Sequence, residues 1–128
     1  MNNKNNLNDI ALAWKRLQSA PENTAEYSEC EWVLHEFGVL IALEPIQAWH
    51  VVESIYEANR SDAWITENLG AGPVETMLRT HGQTVLPLVS LYISENEEFI
   101  SVIKHVWNHS LPPEIGSRLA EIIKSSEV

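Results

Sequence analysis

Residues 24–57, TAEYSECEWVLHEFGVLIALEPIQAWHVVESIYE, decide the fold class. Cys30, Val33, Leu34, Phe37, Leu40 and Ile41 recur at intervals of three and four, the spacing of one buried helix face. Ile46, Trp49, Val52, Ile55 and Tyr56 repeat that spacing after Pro45, which suits a first helical turn because its missing amide proton is not needed there. Gly38 weakens the middle of the earlier helix by about 1 kcal/mol relative to alanine, so a bend or break is expected at that point.

The same periodicity continues on both sides. Upstream, Ile10, Ala11, Trp14 and Leu17 form a stripe on a helix over 8–19, closed by Pro21. Downstream, Ser61 is expected to cap a short helix holding Trp64, Ile65 and Leu69, with Gly70 at its left-handed end. Gly72 and Pro73 then read as the start of another helix, placing Glu75 where its carboxylate reaches back to the cap, and Gly82 as its stop after His81. A sixth helix over 84–94 tolerates Pro87 in its opening turns, a seventh runs from Asn96 to about Trp107, and Pro112 with Pro113 opens the last. No alternating stretch bounded by hairpin turns competes. The expectation is an all-α chain of about eight short helices, stacked as antiparallel hairpins in an irregular or HEAT-like bundle. It is read as one domain spanning 1–128, with 1–7 frayed. Tryptophans at 14, 32, 49 and 64 hint at a helical repeat, but their spacing drifts.

Composition narrows the function classes. Of 128 residues 45% are hydrophobic and five are glycine, too apolar for a disordered chain. Eighteen acidic against eight basic side chains give a formal charge of −10, which repels phosphate backbones and anionic lipid surfaces. Between Arg16 and Arg60 there is no lysine or arginine, yet eight glutamates fall there. The longest apolar run, Val39 to Leu43, is far short of the roughly 20 residues that cross a bilayer. Cys30 is the single cysteine, and the first residues carry no apolar leader, so a cytoplasmic location is expected.

Signals for catalysis are weak. His105 and His109 have the spacing that clamps zinc from one helix face, but Asn108 and Pro112 point to a helix ending before His109. Cys30 lies between Glu29 and Glu31, which disfavour its thiolate. The segment 70–73 lacks the lysine and hydroxyl of a phosphate loop. No metal, cofactor or enzymatic activity is therefore expected. An enzyme built on His50, His81, His105 and nearby glutamates is the third-ranked reading.

Above that background stands an acidic, aromatic-containing surface: Trp32 within a turn of Glu29 and Glu36, joined by Glu53 and Glu57 from the next helix. An indole with carboxylates around it suits a basic protein partner, the ring providing desolvated area and the charges steering encounter. The blander alternative is a packed tryptophan on a solvated face.

The segment Gly70-Ala71-Gly72-Pro73-Val74-Glu75-Thr76-Met77-Leu78, closed by His81-Gly82, resembles a family of short bacterial proteins known only as a domain of unknown function. Pro45 with Ala48-Trp49-His50-Val51-Val52, and Val106-Trp107 before Pro112-Pro113-Glu114, fit the same pattern, from about Glu44 to Leu119. The resemblance implies an all-helical bacterial cytosolic protein and transfers no activity. Expected function is binding: a small acidic protein that covers the basic surface of a toxin, as immunity proteins do. The alternative is a scaffold subunit that binds a peptide or its own copy as a homodimer.

Overall fold

The computed structural model describes residues 6–126, and every regular element within them is helical, as the periodicity requires. Of the residues expected to fray, 1–5 lie outside the described part, whereas the Asn6 side chain accepts the Asn8 amide proton at 2.8 Å and caps α1 (Leu7–Ser19). Contacts gather into two compact units within the span read as one domain. The first ends at Ser61 and the second begins at Asp62.

The first unit holds α1, α2 (Ala25–Cys30), α3 (Trp32–Leu43) and α4 (Pro45–Ala58). α1 packs against the other three, and α3 lies along α4. Thr24 caps α2 through the Tyr27 amide, and Pro45 occupies the first turn of α4. The core is Trp14, Cys30, Val33, Phe37, Ile41, Trp49, Val52, Ile55 and Tyr56. Burying a side chain such as Phe37 or Ile41 stabilises by about 1.5–3 kcal/mol, more than Gly38 costs, and α3 runs through Gly38 without a break. The break falls instead at Glu31, whose carbonyl accepts the Leu34 amide proton three residues on. Leu34, expected in the core, is 52% exposed.

In the second unit Asp62 rather than Ser61 caps α5 (Ala63–Leu69), its carboxylate accepting the Ile65 amide proton at 3.1 Å. Ile65 and Leu69 are buried, while Trp64 points outward. Gly70 follows the last residue of α5 as expected but is not left-handed: the chain passes through a π-turn, Gly70–Val74, directly into α6 (Glu75–Glu95). A Cβ at Gly70 would collide with the Val102 carbonyl, so glycine is there to admit the backbone of α7 (Ile100–Ile103). The two helices expected either side of Gly82 follow one another within α6 across a kink, where His81 has non-helical backbone (φ −136°, ψ 38°). Gly82 sits under Ile115 of α8 (Pro113–Ser126), 2.6 Å from where its Cβ would stand. The expected seventh helix is cut short: a 3-10 turn at Glu97–Phe99 leads into α7, and Trp107 lies in extended backbone before a second 3-10 turn, Asn108–Ser110. No helix of the described residues is long and apolar enough to cross a membrane.

Candidate functional site

The five residues singled out from sequence part into two groups. Glu29 lies 3.4 Å from the Arg16 guanidinium, which also takes Glu26 at 3.2 Å. That hydrogen bond to Glu26 is the main reason the Arg16 pKa is raised above its ordinary value. Glu57 pairs with Arg60 at 3.7 Å. Glu53 is a support for the core: its carboxylate accepts the indole N–H of buried Trp49 at 2.9 Å and lies 3.2 Å from His50 Nδ1. Three of the four acids are thus engaged within the chain. Trp32 and Glu36 remain, both half-buried, and both are on α3.

α3 has more apolar residues than one face can bury, nine of its twelve. At about 3.6 residues per turn, Val33, Phe37 and Ile41 take the inner side, and His35, Gly38, Val39, Ala42 and Leu43 are left on the outer side. Leu34 is exposed at one margin, and Trp32 and Glu36 lie at the other. Val39 is 40% exposed and Leu43 72%, and Ile46, in the first turn of α4, is 53% exposed. Apart from its chain neighbours and the backbone of α3 itself, no described atom lies within 4 Å of where a Gly38 Cβ would be. Glu31, Glu36 and Glu44 border this face, and none of them has an ion-pair partner among the described residues. The surface is an apolar strip with a negative margin, the anatomy of a docking patch rather than of a solvated helix.

Periodicity missed Leu34 and Ile46 because it placed both on buried faces, and it left Val39, Leu43, Glu31 and Glu44 without a role. A visible signal was the surplus itself, since apolar residues all round a helix require cover on both sides.

In the second unit, polar order centres on Glu75. Rather than capping its own helix, its carboxylate accepts the Trp107 amide at 2.8 Å and the Ser110 hydroxyl at 3.0 Å, with Arg79 at 3.7 Å. Asn108 bonds the Gly116 carbonyl at 2.8 Å. These bonds hold the 107–111 loop and leave the Trp107 indole exposed beside His109. α7 ends before His105, so His105 and His109 do not share a helix face. Among the described residues no three histidine, cysteine, aspartate or glutamate side chains gather as a metal site would need.

A profile described as a family of unknown function, DUF6869, matches residues 14–126. The chain belongs to DUF6869. The match starts at Trp14, in α1, well upstream of the motifs that carry the resemblance, and takes in both units. No curated protein and no solved structure matches this DUF6869 chain.

Proposed function

We propose that this DUF6869 protein is a protein-binding module that docks a basic partner on the outer face of α3. The observation that carries the reading is the exposure of Leu34, Val39 and Leu43 between Glu31, Glu36 and Glu44, three carboxylates without ion-pair partners among the described residues. Apolar area supplies the adhesion once water is expelled, and the border charges select a cationic rim and speed encounter. The first unit carries nine acidic and four basic residues. A second copy would bring the same excess of negative charge to the face, so a basic protein fits it better than self-association. An immunity-type inhibitor, covering the lysines and arginines with which a toxin grips its target, is the specialised form of this reading.

The test is a photoreactive residue at position 43, with position 91 of α6 as control, followed by affinity measurements with the purified capture. Support is a protein with a basic surface, captured from position 43 alone, whose affinity falls steeply with salt. Equal capture from both positions, a salt-independent affinity, or crosslinking to a second copy overturns it.

A further inference from the structure

Gly38 is left unexplained by the fold. It stands in the interior of α3 at a helical backbone angle rather than a positive one, and apart from its chain neighbours and the backbone of its own helix no described atom lies within 4 Å of its missing side chain. Gly70 and Gly82 differ, because a Cβ at either would strike a neighbouring segment. Glycine is among the weakest helix formers, and an alanine would fit at 38 without displacing anything. The position falls between Leu34 and Ala42, one turn to either side, inside the apolar strip.

Resting on the docking reading above, we infer that the partner presents an α-helix that crosses α3 at Gly38, its backbone closer than an ordinary side chain would allow. Helix pairs usually stand 8–10 Å apart, the distance being set by the side chains at the crossing. With no side chain at 38 and a methyl group at 42, a small residue on the partner helix brings the two backbones to the short end of that range. Leu34 and Val39 then close over its flanks. Lysine or arginine on the partner's outer margins meets Glu31, Glu36 and Glu44. Gly38 is in this view a specificity-determining residue, since the close approach it permits is open only to helices whose crossing residue is small.

The experiment uses the full chain and synthetic helix-stapled peptides of about 18 residues, long enough to span α3. One carries an alanine at its centre and lysine flanks, and a second carries the same centre with glutamate flanks. Binding is read by peptide fluorescence anisotropy, and its location by amide chemical shifts. The lysine-flanked peptide is expected to bind, with shifts confined to residues 31–46, and the glutamate-flanked one to bind at least roughly tenfold more weakly. Gly38→Leu is expected to weaken the lysine-flanked peptide by roughly tenfold or more while leaving thermal stability equal or higher. Unchanged binding to Gly38→Leu, with binding abolished in Leu43→Asp, overturns the crossing at Gly38 and leaves the docking face standing. Failure of the lysine-flanked peptide to bind, or binding indifferent to Leu43→Asp, overturns both.

Discussion

The indole N–H of Trp49 donates to the Glu53 carboxylate at 2.9 Å, one helical turn away on α4, and so turns an acidic residue of the charged stretch into a support for the core. Trp49 is 2% exposed, which makes its N–H a buried donor that needs a partner. Glu53→Ala is expected to destabilise by about 1–3 kcal/mol, the cost of an unsatisfied buried donor. Glu53→Gln, which keeps an acceptor oxygen, should cost less. Urea unfolding monitored by tryptophan fluorescence checks the order of the two variants. Equal midpoints for Glu53→Ala and wild type would count against the support role.

Glu75 has the same structural character in the second unit, with a side chain only 13% exposed and two hydrogen bonds from the 107–111 loop. Glu75→Ala is expected to cost about 2–4 kcal/mol, since hydrogen bonds to a charged acceptor contribute about 1.5–3 kcal/mol each and are only partly additive. Exchange of the Trp107 amide proton should accelerate with it. Calorimetry together with amide exchange tests this, and an unchanged Trp107 exchange rate would show that the loop is held by other bonds.

Three glycines should respond to the same substitution with opposite signs. Gly38→Ala is expected to stabilise by up to about 1 kcal/mol, because the added methyl meets nothing and helix propensity improves. Gly70→Ala is expected to destabilise by about 1–3 kcal/mol or more, since the Val102 carbonyl belongs to backbone that must move. Gly82→Ala should fall between them, displacing the Ile115 side chain rather than main chain. Thermal melts of the three variants give the ranking directly.

Much of the fold was legible from periodicity and punctuation. Pro45 opens α4 where expected, the stripe of α1 is buried as read and so is that of α4 apart from Ile46, which is exposed, and the all-helical class follows from them. What local signals could not supply was tertiary demand. Gly70 reads as a helix end because left-handed geometry is the usual reason for glycine there, whereas the actual reason is the approach of α7 from some thirty residues downstream. Gly38 reads as a break, but the burial of its neighbours outweighs its weakness. For the site, the acidic character of the stretch was visible, and Glu57 with Arg60 and Glu53 with Trp49 stand only three and four residues apart, whereas the engagement of Glu29 depended on Arg16 being brought alongside from α1. The acids bordering α3 are distinguished only by what fails to reach them.

The docking claim is tested most directly by the affinity of the captured partner for two charge-reversed proteins, Glu31→Lys/Glu36→Lys/Glu44→Lys and Glu29→Lys/Glu57→Lys, at low and at high salt. The expected result is a loss of roughly a hundredfold or more at low salt for the first, mostly in the association rate and shrinking as salt rises, with folding intact. The second, whose glutamates already face Arg16 and Arg60, should lose roughly tenfold or less. Equal losses for the two proteins, or wild-type affinity in the first, would contradict a docking face on α3.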